Sequence, residues 1–119
     1  MFDGSITMPA TKKRSYARQT LAAATLLGQM VALERKGQRI TAQEFAERLG
    51  VTRGTVARLE TGDPKVEIGL AFEACTLLGV PLFGGSAAQI ARQSRNIEQH
   101  LALLPAAVRA RGGKVDDDF

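Results

Sequence analysis

The sequence has few residues of the kinds that build disulfides, metal sites and membrane spans. Cys75 is its single cysteine and His100 its single histidine, so no internal disulfide and no cysteine-rich metal site can form. No apolar run approaches the roughly 20 residues of a membrane helix, and the N-terminus lacks the uninterrupted apolar stretch of a signal peptide. These absences predict a soluble, cytoplasmic protein that has no metal or other cofactor and does not enter a membrane.

Positive charge is concentrated at the start of the chain. The 119 residues carry a formal net charge of +4, and residues 1–20 contribute +3 of it while the rest is close to neutral. Two interpretations of this basic arm remain open. It is a solvated terminus, or it follows a phosphate backbone or enters a minor groove, with Lys12, Lys13 and Arg14 on the DNA.

Apolar periodicity and capping signals predict five helices and no strand. The predicted spans are about 21–36, 42–49, 53–61, 67–78 and 86–104. We expect Gly37 to end the first helix in the left-handed conformation. A capping box at Thr41 and Glu44, with Ile40 and Phe45 as a hydrophobic staple, predicts the start of the second helix.

The apolar face of the first predicted helix is broad. Its apolar residues at three- and four-residue steps are Ala23, Leu26, Leu27, Met30, Val31 and Leu33. Such spacing is typical of a helix with one face on a core. In the last predicted helix the apolar residues Ile90, Ile97, Leu101 and Leu104 share one face.

The stretch RLGVTRGTVARLETG stops one helix at Gly50 and begins another almost at once. Thr52 is placed to cap the second of these helices, and a tight turn requires Gly50 in the left-handed conformation. Ala46 must be small because the second helix crosses the first there, while Val56 and Leu59 face the core. This spacing is typical of a helix-turn-helix.

The pattern A-x-x-x-G-x-x-x-x-x-V-x-x-L-E-x-G, from Ala46 to Gly62, resembles the XRE family, to which the lambdoid phage repressors and Cro belong. The resemblance covers residues 27–80 and implies an all-α, five-helix lambda-repressor-like DNA-binding domain with an extended C-terminal helix and flexible termini. We accordingly divide the chain into a basic arm (1–20), a helix-turn-helix domain (21–84), a C-terminal helix (85–105) and a flexible tail (106–119).

The resemblance also implies which residues meet DNA. In the family the N-terminal end of the third helix enters the major groove. This places Thr52, Arg53, Gly54 and Arg58 at base-reading positions and Thr55 near the backbone. Either arginine can make the bidentate contact to guanine. The alternative for Arg58 is a surface ion pair with Glu60 or Glu47.

Two departures bear on function. Ala42 stands where the family usually has a glutamine that grips a phosphate, and Gln43 beside it is the candidate substitute. The stretch GDPKVEIG resembles HipB-type antitoxins more than phage repressors, and so does the tail LLPAAVRARGG. This second resemblance implies a HipA-like kinase toxin as a partner.

The fourth predicted helix suggests how subunits pair. We expect it to bury Ala71, Ala74, Cys75 and Leu78, which leaves Leu70 and Leu77 on another stripe. The candidate dimer interface comprises Leu70, Leu77, Leu82, Phe83 and Leu101. For the last three of these residues, packing within the monomer is the alternative.

Together these features predict a homodimeric, sequence-specific repressor that binds a pseudo-palindromic operator on double-stranded DNA, at its own promoter, and serves as an antitoxin. The alternatives are a regulator without a toxin partner and a protein-interaction module that has lost DNA readout, as Ala42 and Gly54 favour. We expect no enzyme, because nothing in the sequence pairs with His100 as nucleophile, base or metal ligand.

Overall fold

Residues 15–105 are described by a computed structural model, in which five α-helices follow one another. They are α1 (Arg18–Gly37), α2 (Ala42–Leu49), α3 (Arg53–Glu60), α4 (Ile68–Leu78) and α5 (Ala87–Leu103). Within 15–105 no strand forms, and one antiparallel bridge joins Leu82 to Gly85. The predicted all-α fold of five helices is confirmed, although α1 begins at Arg18 instead of Leu21.

The chain forms two compact units that divide between Val80 and Pro81. The first holds α1 to α4, and α3 packs against both α1 and α2. Its buried apolar residues are Val31, Ile40, Phe45, Ala46, Val56, Leu59, Ala71, Ala74, Cys75, Leu78 and Val80. The buried stripe predicted for the fourth helix and the core positions predicted for the helix-turn-helix are among them.

Local capping signals form as the sequence predicts. The backbone N–H of Glu44 donates to Thr41 Oγ1 at 3.0 Å, and the backbone N–H of Thr41 donates to Glu44 Oε1 at 2.8 Å. Ser86 and Gln89 make the same reciprocal pair at the start of α5. These bonds satisfy backbone donors that have no partner within their own helix.

The broad apolar face predicted for α1 is wrong in part. Gly28, Val31 and Arg35 are buried, whereas Leu26 and Met30 of that face are exposed and so is Leu33, at 73%. The reason is a close approach at Gly28, where a β-carbon would lie only 2.7 Å from the Glu60 carbonyl oxygen. The face of α1 that carries Gly28 therefore turns inward, because the end of α3 can approach α1 this closely only at a residue without a side chain.

The end of α1 also differs from the prediction. Gly37 is still helical, and the left-handed residue is Arg39, with φ of 62°. The backbone N–H of Ile40 donates to the Arg35 carbonyl at 3.1 Å, and that of Arg39 donates to the Lys36 carbonyl at 3.0 Å. These two bonds are the Schellman closure, which here extends past the glycine.

Candidate nucleic-acid interface

The turn between α2 and α3 consists of residues 50–52. Gly50 has φ of 74°, in the left-handed region as predicted. The backbone N–H of Val51 donates to the Ala46 carbonyl at 3.0 Å, and the Ala46 side chain is buried. The turn thus reverses the chain within three residues and seats α3 across a position where only a small side chain fits.

The first turn of α3 is capped by threonine. Thr52 Oγ1 accepts from the backbone N–H of Thr55 at 3.2 Å, and the two hydroxyls lie 3.0 Å apart. Thr52 is exposed and Thr55 is half-buried. Both hydroxyls are therefore held at the N-terminal end of α3, where the helix dipole is positive and favours an anion such as phosphate.

Arg53 and Gly54 follow the cap and are both exposed. The Arg53 guanidinium makes no ion pair or hydrogen bond with another residue in the described range 15–105. A β-carbon on Gly54 would meet only Thr52 Oγ1, at 3.8 Å. The start of α3 consequently presents an unengaged arginine next to bare backbone.

Arg58 is held by a partner that the sequence interpretation did not name. Its Nε donates to Asp63 Oδ2 at 2.8 Å, so the ion pair considered as the alternative for Arg58 forms with Asp63 and not with Glu60 or Glu47. Asp63 is itself fixed, since the backbone N–H of Lys65 donates to its Oδ1 at 2.8 Å. The Arg58 hydrogen bond, followed by the Lys65 bond, lowers the pKa of the Asp63 carboxyl.

The reason that Glu60 is not available to Arg58 lies in α1. Arg35 Nε and Nη2 donate to the two Glu60 carboxylate oxygens at 2.6 Å and 3.0 Å, and Arg35 Nη1 donates to the Ile40 carbonyl at 2.8 Å. The pair is nearly buried, and the Glu60 hydrogen bond raises the Arg35 pKa. Sequence reasoning missed this pair, which ties the end of α3 to the first helix through a bidentate contact.

The candidate phosphate clamp at the start of α2 is exposed. Gln43 Nε2 donates to Glu47 Oε2 at 3.2 Å, one helical turn further along. Ala42 is half-buried. The Gln43 amide thus reaches solvent at the start of α2, where the Glu47 carboxylate holds it. Lys12, Lys13 and Arg14 lie outside the described residues.

An open groove of about 320 Å³ lies beside α3. Its lining consists of Val51, Thr55, Arg58, Lys65, Val66, Glu67 and Leu70. Two predicted DNA-contacting residues and one predicted dimer residue therefore share this groove. Of the other dimer candidates, Leu77, Phe83 and Leu101 are exposed and Leu82 is half-buried.

The metal-ligating side chains of the described residues lie apart from one another. No three His, Cys, Asp or Glu side chains in residues 15–105 come together in a way that could hold a metal ion. Cys75 is buried, and its burial raises the pKa of the thiol.

Among residues 15–105, none of the helices combines the length and the apolar character that a membrane span needs.

Comparison with known proteins gives one match, which covers the helix-turn-helix. The family model described as Helix-turn-helix matches residues 31–84. No curated protein and no solved structure matched the chain. The matched segment contains α2, its tight turn and α3, so this part of the chain is similar to that helix-turn-helix family.

Proposed function

We propose that the protein is a sequence-specific transcriptional repressor that binds double-stranded DNA through the N-terminal end of α3. The observation that carries the proposal is the composition of that end: an unengaged Arg53, bare backbone at Gly54 and an Arg58 that Asp63 holds at Nε. Because Asp63 uses Nε, both terminal nitrogens of Arg58 can form a fork for guanine O6 and N7. Thr52 and Thr55 supply hydroxyls near a phosphate.

In the proposed complex the protein is a homodimer on a pseudo-palindromic operator at its own promoter. Two recognition helices about 34 Å apart would enter successive major grooves. Gln43 and the basic residues Lys12, Lys13 and Arg14 would hold phosphates, which position the protein without reading sequence. The interface would draw on the exposed and half-buried apolar residues Leu70, Leu77, Leu82, Phe83 and Leu101.

A nuclease footprint on the DNA upstream of the gene tests this proposal. We expect two protected patches about one helical turn apart at moderate salt. Arg53→Ala should cost about 1–3 kcal/mol of operator binding and relax one base position. Arg92→Ala, which removes an exposed arginine from α5, is the control and should leave the footprint unchanged. If random DNA is coated before any patch is protected, the proposal fails.

The resemblance to HipB-type antitoxins supports a second role for the protein, as the antitoxin of a HipA-like kinase. It rests on the GDPKVEIG stretch, in which Asp63 organises the turn between α3 and α4. Co-expression tests it: the product of the neighbouring gene should arrest growth alone and co-purify with this chain. Normal growth or the lack of a complex would leave a regulator without a toxin partner.

Ala42 and Gly54 favour one further candidate, a protein-interaction module that has kept the fold and lost DNA readout. Ala42 offers no polar group for a phosphate, and Gly54 offers no side chain to a base. The footprint separates this candidate from the repressor, since an interaction module protects no patch at any concentration below that which coats random DNA.

A further inference from the structure

Helix α5 has an apolar stripe that no other described residue of its unit, 81–105, buries. None of the 17 residues of α5 is buried. Ile97 is 57% exposed, and Leu101 and Leu104 are each 61% exposed. An amphipathic helix of this length gains its stability mostly by packing that stripe.

The stripe has the spacing of a coiled-coil seam. Residues at alternating steps of three and four are Ala87, Ile90, Ser94, Ile97, Leu101 and Leu104. Leu104 is the C-cap residue after the helix, with φ of −73° and an extended ψ of 137°. Because φ alone sets the direction of the β-carbon, the Leu104 side chain still starts on the same row. A heptad seam fits another helix with the same repeat, because each knob enters a hole of four residues.

The sizes of the seam residues select an antiparallel pair. In a parallel pair Ala87 and Ser94 would each face their own copy and leave two thin layers. In the antiparallel register that sets Ser94 against Ile97, Ala87 faces Leu104 and Ile90 faces Leu101. Every small residue then meets a large one, and all six layers are filled.

The charges agree with that register. Arg92 and Arg95 lie on the side of the helix away from the seam. Beside the seam, Glu98 would lie near Ala91 of the second copy, and Gln93 near His100. No like charges meet, and the positive end of each helix dipole lies beside the negative end of the other.

We propose that two copies of this chain pair through α5, antiparallel, in the register that sets Ile90 of one copy against Leu101 of the other. This inference deepens the homodimer of the proposed function and names its surface. A two-fold axis near Arg95 and Asn96 relates the copies, as a pseudo-palindromic operator requires.

Sedimentation of the free protein at several concentrations, without DNA, is the first test. Ile97→Asp should weaken the dimer about 100-fold or more, because two isoleucines leave the seam. Gln99→Asp, on the outer side of α5, should leave the dimer intact. A monomeric wild-type protein overturns the proposal, as does a dimer that Leu77→Glu disrupts and Ile97→Asp does not.

Cysteine cross-linking tests the register and does not depend on a destabilised variant. Ile90→Cys and Leu101→Cys proteins, mixed and oxidised, should form a covalent dimer. Each alone should not, since like positions lie about 16 Å apart along the axis, beyond the reach of a disulfide. Wild-type protein is the control, because Cys75 is buried. A covalent dimer from either variant alone, or no covalent dimer from the mixture, overturns the proposed pair. The footprint separately decides whether the protein binds DNA.

Discussion

At the scale of single residues, no contact within residues 15–105 requires the glycine in the first turn of α3. Gly54 is exposed, and a β-carbon there would meet only Thr52 Oγ1, in ordinary contact at 3.8 Å. A glycine inside a helix costs about 0.5–1 kcal/mol relative to alanine. A fold that gains nothing from the residue points to a molecule outside the fold, and a base or phosphate close to the helix backbone fits that position.

Gly54→Ala is therefore expected to separate stability from DNA binding. Urea unfolding should show a gain of about 0.5–1 kcal/mol, whereas operator affinity should fall because the added methyl group prevents close approach. Gly37→Ala is the matched control: that glycine is also helical with open space around it, so its substitution should stabilise the protein and leave affinity unchanged. Equal affinities for the Gly54→Ala and Gly37→Ala proteins would contradict this account.

The Asp63 carboxylate gives a second residue-scale prediction. Asp63→Asn retains an oxygen for the Lys65 N–H but weakens the bond to Arg58 Nε, which the charge strengthens. We expect operator affinity to fall about five- to tenfold, because the free guanidinium must then be ordered on binding. Titration of labelled operator measures the effect. In an Arg58→Ala background the same substitution should change nothing further, and an additive loss would rule out the positioning role.

At the scale of elements, the first four helices end in the same way. A backbone N–H bonds to a carbonyl five residues earlier after α1, α2, α3 and α4. After the last three, the left-handed residue is a glycine, whereas after α1 it is Arg39. A non-glycine residue in that conformation costs roughly 1–2 kcal/mol, so α1 ends at a strained position.

Arg39→Gly should accordingly raise the free energy of unfolding, by about 1 kcal/mol once the greater flexibility of the unfolded glycine is included. Arg39→Ala is the control, since it removes the same guanidinium but keeps a β-carbon in the left-handed region. Chemical denaturation of both proteins measures the difference. Equal stabilities would mean that the position carries no strain.

The capping box of α2 predicts a dependence of stability on pH. The backbone N–H of Thr41 donates to Glu44 and lowers the pKa of that carboxyl below its ordinary value of 4.5. A lowered pKa in the folded state adds stability above the unfolded pKa, and this stability is lost as pH falls through the folded value. Melting temperatures between about pH 3 and 7 should therefore converge for wild type and Glu44→Gln at the acid end; a constant gap would exclude the effect.

The predictions that the sequence supports best are those whose signals are local. Thr41 with Glu44, Gly50 and Thr52 fix two helix starts and a tight turn within a few residues each, and all form as expected. The buried side of α1 was not predictable, because it depends on how Gly28 meets the end of α3 in space. The same holds for Arg35 and Glu60, which are 25 residues apart. The Arg58 partner lies beyond one helical turn, in the loop after α3.

At the scale of the whole molecule, affinity for an operator depends on how rigidly two copies of α3 are held. One recognition helix reads only a few base pairs, so a monomer binds its half-site only a little more tightly than it binds random DNA. An α5 pair joins two such sites into one, and binding of the second half-site then becomes intramolecular. Specificity would arise from the seam of α5 as much as from the arginines of α3.

This coupling gives the last prediction. The Ile97→Asp substitution changes α5 and leaves α3 untouched. The affinity of the Ile97→Asp protein for a single half-site should therefore equal that of wild type. Its affinity for the complete operator should fall about 100-fold or more, toward the half-site value. Gel-shift titrations on both DNAs measure this, with Gln99→Asp as the control. A loss that is equal on both DNAs would mean that α5 supports the folding of the DNA-binding domain, whereas no loss on the operator would mean that another surface pairs the subunits.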